Sequence, residues 1–163
     1  MNLHLKPTEV LLAAWTVVEE ARETAEGSGA VLSVDIAADF DQGEAVLADP
    51  ERLRICLELL LSDALRDAKP RSSVRLTGRR AGDEIRLIVI RSSEEPGDEL
   101  PQVVADACLR AAGGWIELPE PNPDLVLARE VVESMGGCLL VYEHPGKPVV
   151  WGISLAPAGV ADA

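Results

Sequence analysis

The chain predicts an α+β fold: a two-layer α/β sandwich whose mixed, mainly antiparallel sheet is covered on one face by three helices. Segments with helical apolar spacing stand apart from short strand-like segments. Two pairs of those strands are each joined by turn-forming residues, as antiparallel hairpins are. The regular strand-helix alternation of a doubly wound parallel sheet is absent.

From the N-terminus, PTEVLLAAWTVVEEARETAEGSG places Leu11, Ala14, Trp15, Val18, Ala21 and Ala25 at helical spacing, with Gly27 and Gly29 where such a helix would stop. VLSVDIAA alternates and puts Leu32, Val34 and Ile36 on one face of a half-buried strand. The polar stretch DFDQGE separates it from a short strand at EAVLA.

DPERLRICLELLLSDALRDA opens with Asp49 as N-cap and Pro50 at the first helical position, where a missing N–H costs least. Leu53, Cys56, Leu57, Leu60, Ala64 and Ala68 form its apolar stripe, with Glu51, Arg54, Glu58 and Ser62 opposite. SVRLTGRR and EIRLIVIR flank Ala81-Gly82-Asp83 as a hairpin. SSEEPGDELP reads as a loop, PQVVADACLRAA as a short helix ended by Gly113-Gly114, and WIELPEPNP as extended or irregular.

PDLVLAREVVESMGG is an amphipathic helix with Leu125, Ala128, Val132 and Met135 on one face and Gly136-Gly137 as its stop. CLLVYEHPG and PVVWGISLAP complete the sheet as a second hairpin. Residues 1–157 are assigned to one domain and 158–163 to a flexible C-terminal tail, which suits a chain of 163 residues.

Composition narrows the function classes. With 47% apolar and 26% charged residues the chain is neither disordered nor membrane-embedded in character. No apolar run approaches the roughly 20 residues of a spanning helix, and no secretory signal pattern opens the chain, so a cytoplasmic location is expected. A net charge of −13 opposes nucleic acid and anionic lipid. Cys56, Cys108 and Cys138 lie far apart among apolar neighbours and read as reduced core thiols. His4 and His144 are too few for a histidine-rich metal site. Ser92-Ser93 lacks a nucleophile elbow, so hydrolase chemistry has no support.

ADPERLRICLELLLSDALRDA resembles the "DPxRLxQVLxNLLxNAxKxx" helix of the ATP-binding domain of sensor histidine kinases, within the GHKL family, through Asp49, Pro50, Arg52, Leu53, Leu60 and Ala64. LVLAREVVESMGGCLLV is similar to that family's "GLGLAIxRxIVExHGGxIxV" segment through Leu125, Leu127, Arg129, Val132, Glu133, Gly136 and Gly137. The resemblance covers nearly the whole chain and implies the histidine kinase ATPase-like, or Bergerat, fold.

The resemblance also implies which positions would meet a nucleotide: Asp63, Arg66, Asp67, Asp124, Leu125 and Arg129. Asp63 stands where the family has the Asn that helps hold Mg²⁺, so it is the metal ligand if Mg²⁺ is bound, and Leu59 replaces the preceding polar position. Arg66 matches the basic residue facing the phosphates. The DxGxG motif that receives adenine is replaced by RSSEEPG, and the GxGLGL lid by PNPDL, with Asn122 and Asp124 at two glycine positions. Glycines there allow close backbone approach and offer N–H groups to phosphate; Pro123 has none, and Asp124, Glu94 and Glu95 add negative charge.

Each of these residues also has a plain structural reading. Asp63 and Asp67, one turn apart, could hold Mg²⁺ with Arg66 assisting, though solvated carboxylates near a helix end are commoner. Arg66 could pair with either carboxylate, and Arg129 and Glu133 are spaced for a helical ion pair. The three tryptophans read as packing residues, with Trp115 also suited to an exposed contact surface.

The expectation is a degenerate ATP-binding domain, without an assigned catalytic residue and without a required cofactor, that binds protein partners in bacterial two-component signalling. By resemblance those partners are a response regulator or a kinase's helical dimerisation hairpin. The alternatives are a divergent active kinase domain that binds Mg²⁺–ATP and phosphorylates a histidine on another segment, and a regulator resembling the anti-sigma-factor kinases. The helical hairpin bearing a phosphorylated histidine is not found in the sequence, and His4 lacks that histidine's surroundings.

Overall fold

A computed structural model describes residues 4–36, 45–66, 68–81, 84–92, 123–142 and 149–157. In chain order the elements are β1 (Lys6–Glu9), α1 (Val10–Ser28), β2 (Val31–Ile36), β3 (Ala45–Ala48), α2 (Pro50–Arg66), β4 (Ser73–Ala81), β5 (Glu84–Ser92), α3 (Pro123–Ser134), β6 (Cys138–Tyr142) and β7 (Val149–Leu155). The predicted loop, short helix and irregular segment across 93–122, Asp67, both hairpin turns and the tail at 158–163 lie outside the described residues.

The strands form a five-stranded sheet in the order β2-β4-β5-β7-β6. Among the described strands only β2 and β4 run parallel, and a parallel pair needs a crossover, which β3 and α2 supply. β4–β5 and β6–β7 are the two predicted antiparallel hairpins. Ala81 pairs with Glu84, so two residues separate the strands of the first. The predicted mixed, mainly antiparallel sheet with three helices is what the chain forms.

Strand alternation directs Ile85, Leu87 and Val89 of β5 and Trp151, Ile153 and Leu155 of β7 into one core with the helices. Leu53, Leu57, Leu60 and Leu61 of α2 meet them and are almost wholly withdrawn from water. Each such burial contributes about 2 kcal/mol. The alternate residues Ile88, Ile90, Leu140 and Val150 are also buried, which explains the nearly continuous apolar runs of the central strands.

Two helices stop where their glycines need positive φ. Gly29 sits at φ 75° and Ala30 N–H reaches Ala25 O at 3.1 Å. Gly136 sits at φ 81°, and Gly137 N–H reaches Val132 O at 2.9 Å. Gly137 is required for a different reason: a β-carbon there would lie 2.2 Å from the Ser154 carbonyl oxygen.

Three expectations change. Residues 7–9, read as the start of the first helix, belong to strand β1, because Pro7 disfavours helical backbone in Lys6 and the segment pairs with β3. β1 and β3 thereby make a separate two-stranded sheet. Its other side reaches the C-terminal segment, where Val46 bridges Pro157 and Leu47 N–H donates to Ala156 O at 3.0 Å. On α1 the buried stripe is Val10, Ala14, Val17, Val18 and Ala25, so Trp15, expected to pack, is 43% exposed. The apolar residues of α1 spread over more than one side, and the side carrying Val10 and Val17 is the one packed against the core. The side chains of Leu11, Val34 and Ile36 lie outside the described set.

Candidate functional site

The candidate residues lie where the end of α2 meets the start of α3, and the capping of α2 sets their position. Asp49 Oδ1 accepts the N–H groups of Glu51 at 3.1 Å and Arg52 at 3.2 Å, while Oδ2 accepts His4 N–H at 3.1 Å. The His4 hydrogen bond does most to hold the Asp49 carboxyl below its ordinary range; burial opposes it, and Arg52 and Glu51 N–H assist. With that start fixed, the α2 stripe faces the core and Asp63 and Arg66 emerge at its far end beside the sheet.

Asp63 is nearly enclosed, its side chain 12% exposed, and the structure gives it defined partners. The Trp151 indole Nε1–H donates to its Oδ2 at 2.9 Å, and Arg66 approaches its Oδ1 at 3.4 Å. A second nitrogen of Arg66 donates to Asp124 Oδ2, across from the first turn of α3. Behind them the Arg91 guanidinium lies 5.2 Å from the centre of the Trp151 ring and donates to Ala64 O at 3.0 Å. Asp63, Arg66 and Asp124 thus form one chain of charge, with Trp151 and Arg91 supporting it from the sheet.

Asp124 also suits its position, because a carboxylate in the first turn of a helix meets the positive end of the dipole. Leu125 is buried and belongs to the core, and Arg129 pairs with Glu133 at 3.6 Å. The Cys56 Sγ–H donates to Ala128 O at 3.7 Å and ties α2 to α3; burial pushes this thiol up to about 12. The structure therefore brings Asp63, Arg66 and Asp124 together and leaves Arg129 in a local helical pair, while Asp67 is outside the described residues.

Trp151 and Arg91 escaped the sequence reading as site residues. A buried indole needs an acceptor, which is a weak signal in sequence, and nothing local says that it is supplied 88 residues away. Among the described residues no group of His, Cys, Asp and Glu side chains is arranged to hold a metal ion, and no helix is long and apolar enough to cross a membrane.

No protein-family model matches the chain, and no curated protein does. Solved structures do. The histidine kinase AdeS of Acinetobacter baumannii aligns over 96% of this chain and 68% of its own, at TM-score 0.67 and 13% identity. The catalytic domain of histidine kinase ThkA aligns over 94% of this chain and 95% of its own, at TM-score 0.69 and 15% identity. Full-length ShkA, solved in complex with AMPPNP, aligns over 97% of this chain but 32% of its own, at TM-score 0.70 and 19% identity. The chain has the α/β-sandwich fold of histidine kinase catalytic domains.

Proposed function

We propose that this chain is a histidine-kinase-like ATPase-fold module whose nucleotide site is degenerate, and that it works by binding protein partners in two-component signalling. The observation that carries the reading is Arg66. The cation at the phosphate-facing position of the resemblance is held between Asp63 and Asp124, so a phosphate would have to displace a carboxylate to reach it.

Among the described residues, those at the site are poorly suited to Mg²⁺ with a triphosphate. Asp63 Oδ2, at the metal-ligand position, already accepts the Trp151 indole N–H, and the first helical position of α3 is Pro123, which offers no N–H to an anion. A retained sandwich whose phosphate-facing cation is already paired supports protein contact as its function. A response regulator or a helical dimerisation hairpin is the partner class that the kinase likeness supports, at a cytoplasmic location.

Likeness to a protein solved with AMPPNP makes nucleotide the ligand class to test. Calorimetric titration of the chain with Mg²⁺–ATP and Mg²⁺–ADP is expected to give no heat of binding, and micromolar affinity overturns the reading. Incubation with labelled ATP and a dimerisation hairpin is expected to yield no acid-labile phosphoprotein.

A further inference from the structure

Between α1 and α2 the surface opens into a groove of about 230 Å³. Its floor is Val17, Leu61 and Leu65, all buried, with Ala21 beside them. Thr24 and Ser62 are too small to fill the space between the helices. Glu20 and Glu58 stand together in the groove wall. A cleft this size falls below the roughly 300–1,000 Å³ of small-molecule pockets and suits one inserted side chain.

The two carboxylates share one cation. Arg54 lies 2.9 Å from Glu58 and 3.9 Å from Glu20, whereas the neighbouring Arg22 is engaged by Glu19 at 2.8 Å. Burial, and then the adjoining Glu20 carboxyl, hold Glu58 above its ordinary range, with Arg54 acting the other way. The groove therefore combines an apolar floor with negative charge that Arg54 only partly offsets.

We infer that this groove docks an arginine or lysine side chain of a partner polypeptide, its methylenes toward the Val17, Leu61 and Leu65 floor and its charged head at the Glu20 and Glu58 carboxylates, beside or in place of Arg54. A long basic side chain has that division into apolar stem and charged tip. The chain's net charge of −13 would also speed the approach of a cationic partner. The inference rests on the reading that the chain acts through protein contacts, but it shares no residue with the Arg66 network.

The test is an NMR titration of the ¹⁵N-labelled full chain with two short amphipathic leucine peptides, one with arginine on its polar face and one with glutamate there. The arginine peptide is expected to shift the amides of Glu20, Ala21, Thr24 and Ser62, and the glutamate peptide to shift none. Glu20→Gln with Glu58→Gln should weaken binding at least about tenfold. Glu23→Gln with Glu26→Gln, which removes equal charge from the exposed side of α1, should leave the affinity within about twofold. Should the first double variant lose its helical circular dichroism, Thr24→Leu, which fills the groove, must give the same loss of affinity.

Shifts that map elsewhere, no binding, or equal weakening by the two double variants would overturn the inference. Any of these would leave the nucleotide titration as it stands, and nucleotide binding at the Arg66 network would leave the groove shifts in place.

Discussion

Trp151 on β7 donates its indole N–H to Asp63 on α2 at 2.9 Å, joining the sheet to a helix 88 residues earlier in the chain. This contact decides what Asp63 can do, because a carboxylate oxygen oriented by a nearly buried indole is committed to the fold. Trp151→Phe keeps an aromatic ring, removes the donor and leaves part of the indole's space unfilled. It is expected to cost about 1–3 kcal/mol of stability, and a urea-unfolding cycle with Asp63→Ala should show coupling between the two residues.

The Arg66–Asp124 pair sits at the surface, with side chains 49% and 36% exposed. Asp124→Asn should therefore change stability by less than about 1 kcal/mol at low salt. The difference should shrink further in about 1 M salt, where screening is nearly complete. Thermal unfolding at the two ionic strengths checks this.

Asp49 gives the chain an acid-sensitive cap. Its folded carboxyl titrates below the ordinary 3.8, chiefly through the His4 N–H. The stabilisation is therefore fully present above about pH 3.8 and is lost as the pH falls through the lower folded value. Asp49→Ala should cost about 1 kcal/mol at pH 7. The gap to the parent chain should narrow below pH 3.8 in chemical denaturation across pH.

Cys56 should resist alkylation in the folded chain. Its thiol is pushed up to about 12 by burial, so almost no thiolate exists at pH 8. Peptide mass mapping after iodoacetamide is expected to find Cys56 unmodified until denaturant is added.

The paired glycines after α3 should respond differently to alanine. Gly136→Ala meets no neighbour but must hold φ 81°, at a cost of about 1–2 kcal/mol. Gly137→Ala drives a methyl group to 2.2 Å from the Ser154 carbonyl oxygen and should cost about 3 kcal/mol. Unfolding midpoints of the two variants measure the difference.

What the sequence disclosed follows from how local each cause is. Asp49-Pro50 starts α2 with a cap built from adjacent residues, and Gly29 and Gly136 stop helices through their own backbone angles, so these boundaries were readable. β1 was not, since its extended form depends on pairing with β3 some 40 residues away. Trp15 was misplaced because α1 is apolar on more than one side, and which side faces the core is set by packing against α2 and the sheet rather than by spacing within the helix. At the candidate site, Arg66's pairing with Asp63 was one of the two pairings weighed from sequence, the other being with Asp67. Its bond to Asp124 and the hold of Trp151 on Asp63 arise only when α3 and β7 pack beside α2.

The short strand β3 has β1 on one edge and the segment ending at Pro157 on the other. By ladder spacing those two flanking stretches lie about 10 Å apart. Main-chain bonds to β3 thus tie the strand that leads into α1 to the stretch that follows β7, two parts of the chain about 150 residues apart.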